Sequence, residues 1–246
     1  MASSMVEFCE QANPLVLGEA GRSRVEKADA KRVQTSFVAG VEKRALVWMA
    51  ERTPAWIWPD HLTALALVAQ VGAGGCFAQA ARNKFALLGV VVCLVVNWFG
   101  DSMDGTLARV REKQRPRYGF YVDHMVDTFG AAALMGGLGM SGYMHPAIAG
   151  GLLVGFLMLS IQSYLATYTM GEFHLSFWKF GPTELRILVA VGAIALLRWP
   201  VVLEGQYRLF DIGGVMGLMG MAAMLVWFTV KNGIPALLRG AGVREA

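Results

Sequence analysis

The chain has 246 residues, of which 55% are hydrophobic and 16% are charged, and its mean hydropathy is +0.46. These values are too apolar for an ordinary soluble protein and predict a single membrane-embedded domain. The net charge of +4 gives no indication of nucleic-acid binding, and the three cysteines lack the spacing of a metal site or a disulfide framework.

The N-terminal 58 residues precede the first long apolar segment. Residues 1–22 contain three glutamates, no long apolar run and no basic residue in the first twenty positions, so we expect a flexible tail and not a secretory signal peptide. In residues 23–58, apolar side chains such as Phe37, Val41 and Trp48 recur at helical spacing among many basic residues. This pattern predicts an amphipathic juxtamembrane helix that lies on the cytoplasmic leaflet.

Six apolar segments follow, and we predict that each is a membrane-spanning helix. They cover about residues 60–81, 85–111, 119–143, 146–170, 182–197 and 210–230. The predicted fold is therefore an all-α integral membrane protein, with a six-helix domain over residues 59–232 and a C-terminal tail over residues 233–246. Glycines at helix-packing spacing, such as Gly213 and Gly217, predict close contacts between helices.

The distribution of basic residues predicts the orientation of the chain. With six spans both termini lie on one side, and that side holds 18 of the 22 Lys and Arg residues. Basic residues are enriched in the cytoplasmic parts of multi-pass membrane proteins. We therefore expect both termini, and the connection between the second and third spans, to face the cytoplasm.

Four aspartates interrupt the second and third predicted spans. Asp101 and Asp104 are three residues apart, and Asp123 and Asp127 are four apart, so each pair shares one face of its helix. Because carboxylates at membrane depth are costly, they usually mark a functional site. Two helices that meet here would bring four carboxylates together, an arrangement that hard divalent cations stabilise. The sequence therefore predicts a metal site at the cytoplasmic end of these helices.

The aspartates belong to a longer pattern, D-x2-D-G-x2-A-R-x9-G-x3-D-x3-D. This pattern resembles the signature of the CDP-alcohol phosphotransferase family, the integral membrane enzymes that make phospholipids from CDP-linked substrates. All eight signature residues are present: Asp101, Asp104, Gly105, Ala108, Arg109, Gly119, Asp123 and Asp127. The spacer of nine residues after the arginine is at the long end for the family, in a loop where length is tolerated.

The resemblance implies a role for each of these residues. The four aspartates would bind Mg2+ or Mn2+, as two ions, and we favour Asp127, which lies a turn deeper than Asp123, as the general base. Gly105, Ala108 and Gly119 would line the nucleotide pocket, and Arg109 would contact phosphate. The resemblance further implies a CDP-linked substrate, membrane lipids as neighbours, and a homodimer formed along the third and fourth spans.

Further candidates lie near the signature. Asn97 is one turn before Asp101 and would either contact the nucleotide or form a hydrogen bond between helices. Thr63 ends the segment PDHLT at residues 59–63, which resembles the P-N-x-x-T opening of the family's first span with Asp60 in place of asparagine. Thr63 is therefore a candidate nucleotide contact, whereas Asp60 is explained equally well as a helix N-cap.

The connection between the fourth and fifth spans is the candidate acceptor site. It contains Lys179, Glu184 and Arg186, and the segment GPTE at residues 181–184 resembles part of the choline and ethanolamine phosphotransferases of plants and fungi. The two basic residues would suit a phosphorylated alcohol, whereas nearby aromatic residues would enclose a quaternary ammonium group. Both alternatives stay open, as does an ordinary helix start at Pro182.

The sequence thus predicts an enzyme that moves a phosphatidyl group from CDP-diacylglycerol to a small polar alcohol and releases CMP. We prefer this donor because the chain is little more than a six-span core. The alternative within the family is transfer from CDP-choline or CDP-ethanolamine to diacylglycerol. An alternative of another class is a cation transporter that uses the aspartates as an ion path. A transporter would predict acidic residues along the full depth of the spans or inverted repeats, and the sequence shows neither.

Overall fold

The computed structural model of this chain describes residues 39–170, 182–202 and 205–240. Within these ranges the chain forms seven α-helices and one short hairpin. The helices are α1 (Ala39–Arg52), α2 (Pro59–Ala80), α3 (Ala86–Val110), α4 (Pro116–Met140), α5 (Pro146–Met170), α6 (Pro182–Arg198) and α7 (Leu209–Gly240). The hairpin pairs β1 (Val201–Val202) with β2 (Tyr207–Arg208). The predicted tail at residues 1–22 and the candidate residue Lys179 lie outside the described residues.

Proline determines where four of the helices begin. α2, α4, α5 and α6 each start at a proline, whose fixed φ angle suits the first helical position and whose missing N–H has no helical partner there. The six predicted segments begin within three residues of the observed helices. The end of α7 differs from the prediction, because this helix continues to Gly240. Residues 233–240, which we predicted as part of a tail, are therefore helical.

α1 lies within the predicted juxtamembrane region and packs against one end of the bundle. It ends at Arg52, and residues 53–58 form a turn, so the helix stops before the end of the predicted segment. Leu46 and Ala50 are buried against α2 and α3, whereas Trp48 on another face is exposed. The helix is thus amphipathic in its packing, and its location on a membrane surface stays a prediction.

The turn after α1 is fastened to the end of α3 by Arg111. The Arg111 guanidinium donates hydrogen bonds to the carbonyl oxygens of Thr53 (2.8 Å), Pro54 (2.9 Å) and Ile57. A planar group with several donors is suited to bridging carbonyls in this way. These bonds hold the start of α2 and the end of α1 beside the same end of α3.

α2 is the helix on which the carboxylate-bearing part of the bundle is assembled. It packs along both α3 and α4, whereas within the described residues α3 and α4 make few contacts with each other. Gly100 of α3 lies against the backbone of Leu62 and Ala66, and Gly137 of α4 lies against the backbone of Gly74, so that a Cβ at either glycine would collide. Small residues allow this close approach of helices. The arrangement leaves a groove between α3 and α4, with α2 as its floor.

The opposite half of the bundle contains the largest buried hydrophobic cluster. It includes Phe77 of α2, Leu87 of α3 and Leu138 of α4, and it is extended by residues of α5 and α6. α5 packs on α4 and α7, and α6 packs on α3. Large hydrophobic side chains such as Val191 and Trp227 are exposed on the outer surface. Such a surface is typical of helices that face lipid.

Four of the described helices, α2, α3, α5 and α7, are long and apolar enough to cross a membrane. α4 has 25 residues but is less apolar because it carries Asp123, His124 and Asp127, and α6 has only 17 residues. The helical fold class is confirmed, and the count of six spans stays a prediction. The hairpin between α6 and α7 was not predicted; Gly205 in its turn has a φ of 85°, in the left-handed region that favours glycine.

Candidate active site

The four signature aspartates lie at one end of the bundle, beside α1. α3 and α4 are joined by residues 111–115 only, so the end of one helix lies near the start of the next. Asp101 and Asp104 are in the second half of α3, and Asp123 and Asp127 are in the first half of α4. Asp104 interacts electrostatically with Asp101 and Asp123, and so does Asp127. The carboxylates of the two helices therefore face the same groove over α2.

Asp104 is held by hydrogen bonds from two elements. Its Oδ2 accepts a bond of 2.6 Å from Thr63 Oγ1 of α2, and its Oδ1 accepts one from the backbone N–H of Gly105. Thr63 Oγ1 is also 3.3 Å from the carbonyl oxygen of Pro59, but it has one hydrogen, and the shorter bond to a carboxylate is the stronger. Thr63, which we predicted as a nucleotide contact, thus orients a signature aspartate.

Arg186 of α6 reaches the same groove. Its Nη2 atom is 2.9 Å from Asp101 Oδ2, and its charge also attracts Asp127. The Arg186 side chain is 15% exposed and that of Asp101 is 42% exposed, so the ion pair lies where the groove meets solvent. Glu184, two residues earlier on α6, is half-buried. One of the candidate acceptor residues is therefore in direct contact with a signature carboxylate.

Asp127 lies deeper in the groove than Asp123. Asp123 is exposed, whereas Asp127, one turn later on α4, is half-buried. The His124 ring packs against Phe120 and Tyr164, with centroid distances of 4.1 and 4.9 Å. His124 and Tyr164 both interact electrostatically with Asp127. Aromatic side chains of α4 and α5 thus form one wall beside this carboxylate.

The small signature residues leave room next to the carboxylates. Apart from the adjoining backbone of its own helix, no described atom lies within 4 Å of the position that a Cβ would take at Gly119, and at Gly105 the nearest side chain is the Arg109 guanidinium, at 3.5 Å. Arg109 folds back along α3, where its Nη2 donates to Thr106 Oγ1 at 3.1 Å. Ala108 is half-buried on the same helix. This space and charge suit a phosphate group, and the nucleotide pocket stays a prediction.

Asn97 is buried beneath the groove and does not line it. It is 2% exposed, and its Nδ2 donates to the carbonyl oxygen of Ala66 at 2.9 Å and to Gln70 Oε1 at 3.1 Å. Of the two roles that the sequence left open, the structure shows the hydrogen bond between helices. Gln70 also packs on Gly130 of α4 and was not predicted. The signal in the sequence was an amide in the middle of an apolar span, seven residues after Thr63 and on the same helix face.

Asp60 lies outside the groove. It forms an exposed ion pair with Arg115 of the connection between α3 and α4. The N-cap residue of α2 is Trp58, so the N-cap role that we considered for Asp60 is wrong. The ion pair instead adds a contact, besides those of Arg111, between the start of α2 and the residue that precedes α4.

The donor set of the groove suits a hard divalent cation, because it consists of carboxylate oxygens from two helices. The side chains are engaged elsewhere: Asp101 with Arg186, and Asp104 with Thr63 and Gly105. Accordingly, among the described residues no three His, Cys, Asp or Glu side chains are arranged as a closed set of metal ligands. The predicted metal site therefore stays a prediction that the donor chemistry supports.

Residues 56–231, which include the whole signature and the helices that form the groove, match the sequence profile of the CDP-alcohol phosphatidyltransferases. The chain belongs to the CDP-alcohol phosphatidyltransferase family. The resemblance seen in the signature is thereby confirmed. Membership of the CDP-alcohol phosphatidyltransferases indicates a membrane-embedded enzyme that transfers a substituted phosphate group from a CDP-linked substrate. No match to this chain was found among the curated proteins.

Proposed function

We propose that this CDP-alcohol phosphatidyltransferase moves a phosphatidyl group from CDP-diacylglycerol to a small polar alcohol and releases CMP, with Mg2+ or Mn2+ as cofactor. The observation that supports the proposal is that Asp104 and Asp127 each interact electrostatically with Asp101 and Asp123, so that carboxylates of α3 and α4 lie near one another. The family match, over residues 56–231, covers most of the helical bundle, and among the described helices α1 lies before it. The donor and the small acceptor are those that we predicted from the sequence.

The residues of the groove fit the proposed cofactor and donor. The four signature aspartates would hold two divalent cations, which supply charge neutralisation at the pyrophosphate and at the leaving phosphate. Thr63 and the N–H of Gly105 orient the carboxylate of Asp104 in advance, as outer hydrogen bonds commonly do for metal ligands. Arg109 offers a fixed positive charge, and the open space at Gly119 admits a phosphate close to the backbone.

Asp127 is the proposed general base. The hydroxyl oxygen of the acceptor attacks the phosphorus that carries diacylglycerol, the bond from that phosphorus to the CMP oxygen breaks, and CMP leaves with the electron pair. Asp127 takes the hydroxyl proton, and its half-buried position beside Tyr164 shields this transfer from bulk water. Arg186, with Glu184 and Lys179, forms the proposed acceptor site, since its guanidinium lies at the same groove.

The proposal includes an arrangement in the membrane. α2 to α7 form six spans, α1 lies on the cytoplasmic surface, and both termini and the groove face the cytoplasm, as the distribution of 18 of 22 basic residues supports. We also propose a homodimer in the membrane, formed along α4 and α5. No nucleic-acid partner is proposed.

A screen of acceptors tests the proposal. Purified protein is given CDP-diacylglycerol, Mg2+ and one alcohol at a time, including glycerol phosphate, inositol, inositol phosphate and serine, and released CMP is measured. A parallel reaction contains CDP-choline and diacylglycerol. We expect CMP release with at least one alcohol and its loss in excess EDTA. Release only from CDP-choline would replace the proposed donor by the alternative one.

Substitution Asp127→Asn separates catalysis from ion transport. The change keeps the size of the side chain and removes the proton acceptor, so we expect CMP release to fall by about 100-fold to 10,000-fold. Asp211→Asn is the matched control, because Asp211 lies in the first turn of α7 and its Oδ1 accepts a bond from the N–H of His145 that an amide oxygen can also accept. Unchanged CMP release in Asp127→Asn would contradict the role of Asp127, and cation flux through vesicles that survives the change would favour a transporter.

A further inference from the structure

The two amide side chains beneath the groove connect the three helices that form it. Asn97 of α3 donates to Gln70 of α2 at 3.1 Å, and it also donates to the Ala66 carbonyl oxygen at 2.9 Å. Gln70 in turn fills the space above Gly130 of α4, where a Cβ would come within 2.6 Å of its amide carbon and oxygen. One side chain of the floor helix is thus in contact with both walls.

The amide pair lies about one helical turn below the carboxylates. Asn97 is four residues before Asp101 on α3, and Gly130 is three residues after Asp127 on α4. Because α3 and α4 make few contacts with each other, the distance between their carboxylates is set through α2. Gln70 is the polar side chain of α2 that touches α3 and α4 at this level.

The amide pair of Asn97 and Gln70 also lowers the stability of the helix packing. Asn97 Oδ1 is buried and has no hydrogen-bond partner within the part of the chain that the structure describes. A buried polar atom without a partner lowers the stability of the folded state, and an apolar residue would pack here without that loss. The stability of the helix packing therefore does not account for this pair of amides.

We propose that Gln70, held by Asn97 and seated on Gly130, is a positioning residue that sets the width of the groove between the α3 and α4 carboxylates. The proposal rests on the proposed function, because the width matters only if the carboxylates of both helices act on one substrate and its metal ions. Reacting groups displaced by about 1 Å lose on the order of 100-fold in rate, so a change at this level reaches the chemistry without touching the substrate.

The test uses Gln70→Leu, which replaces the amide by an apolar side chain one bond shorter and so removes its hydrogen bonds, and Gly130→Ala, which displaces the amide. Gln79→Leu on α2, where Gln79 is exposed, and Gly136→Ala on α4, where an added Cβ meets no described atom within 4 Å, are the matched controls. Mn2+ binding without substrate is measured by electron paramagnetic resonance, and kcat and KM are measured from CMP release.

We expect Gln70→Leu and Gly130→Ala to weaken Mn2+ binding and to lower kcat by about 10-fold to 100-fold, with the KM for the alcohol within about twofold of the original. In a Gln70→Ala background, Gly130→Ala should have no further effect, because the side chain that it displaces is absent. The controls should behave as the original protein.

Outcomes that overturn this inference differ from those that overturn the function. If the original protein releases CMP but Gln70→Leu and Gly130→Ala change only the thermal stability, with Mn2+ affinity and kcat intact, Gln70 is a packing residue and the inference is wrong. An independent effect of Gly130→Ala in the Gln70→Ala background would also contradict it. Absence of CMP release from the original protein with every donor would instead remove the proposed function.

Discussion

The hydroxyl group of Thr63 connects the floor of the groove to a signature carboxylate. Its bond to Asp104 Oδ2, at 2.6 Å, is made to a charged acceptor that is only partly exposed. Hydrogen bonds to charged groups contribute about 1.5–3 kcal/mol, which corresponds to roughly a tenfold to hundredfold change in an equilibrium. Thr63 therefore fixes the orientation of the Asp104 carboxylate, and with it the position of Oδ1.

Substitution Thr63→Val should lower the rate of CMP release by about tenfold and raise the Mg2+ concentration needed for half-maximal rate. The size of the side chain is nearly unchanged, and the lost group is the donor to Asp104. Thr63→Ser, which keeps the hydroxyl, should restore most of the rate. Thr229→Val is the control, because Thr229 donates only to the carbonyl oxygen of Leu225 in its own helix. A normal Mg2+ requirement in Thr63→Val would show that the bond does not orient Asp104.

The ion pair of Arg186 with Asp101 links a fourth helix, α6, to the groove. Arg186 belongs to α6, which packs on α3, and its side chain is mostly buried while its guanidinium contacts Asp101. A positive charge so close to the signature carboxylates offsets part of their mutual repulsion. The same charge is available to a phosphorylated alcohol, which is why the acceptor screen includes glycerol phosphate and inositol phosphate beside their uncharged relatives.

At the scale of elements, α1 depends on the end of α3. Leu46 and Ala50 bury the inner face of α1, and Arg111 holds the turn that follows through the carbonyl oxygens of Thr53, Pro54 and Ile57. The signature begins ten residues before Arg111, on the same helix. α1 and the carboxylates are therefore parts of one packed unit.

Substitution Arg111→Gln should lower the stability of this unit. An amide cannot reach three carbonyl oxygens at once, and the loss of these charged donors should cost about 2–4 kcal/mol. For a chain of this size we expect Tm in detergent to fall by roughly 4–16 °C, together with faster proteolysis after Arg52. Arg82→Gln, at an exposed position between α2 and α3, is the control. Equal Tm values for the two variants would mean that the Arg111 bonds contribute nothing to stability.

The contact between α2 and α4 depends on the absence of a side chain at Gly137. An added Cβ there would collide with the backbone of Gly74, whereas at Gly136, one position earlier, it would meet no described atom within 4 Å. Gly137→Ala should therefore separate the helices and destabilise the protein by about 1–3 kcal/mol or more, and Gly136→Ala should not. Thermal unfolding and size-exclusion profiles of the two variants measure the difference. Similar losses in both would indicate that α2 and α4 are not in close contact.

The sequence predicted the elements better than their partners. Prolines and apolar runs predicted the starts of the six long helices to within three residues, because these are local signals; for α4 the predicted start was residue 119, three residues after Pro116. The role of α2 as a shared floor was not predicted, since periodicity shows which face of a helix is apolar and not which helix it meets. For the same reason the bond of Thr63 to Asp104 and the contacts of Gln70 were not predicted, while the nucleotide contact of Thr63 stays a prediction. The hairpin escaped because strands of two residues leave no alternating pattern.

At the scale of the whole molecule, the two ends of the bundle differ in chemistry. One end carries the signature carboxylates and the ion pairs of Asp101 with Arg186 and Asp60 with Arg115, and the other carries the hairpin and Asp211. The largest apolar cluster lies between them, nearer the second end. A bundle of this kind has one reactive face, so its orientation in the membrane decides which substrates reach it.

The orientation is tested with single cysteines in a variant whose native cysteines are replaced by alanine. Lys113→Cys lies in the connection between α3 and α4, and Gln206→Cys lies in the hairpin; both positions are exposed. In sealed right-side-out vesicles, we expect a membrane-impermeant maleimide to label Gln206→Cys and to label Lys113→Cys only after the membrane is opened, because basic loops stay in the cytoplasm. In the six-span arrangement three helices, α4, α5 and α6, separate the two positions, so the positions lie on opposite sides of the membrane. Labelling of both cysteines from the same side would contradict that arrangement. The reverse pattern would place the carboxylates outside, where CDP-linked substrates are not supplied.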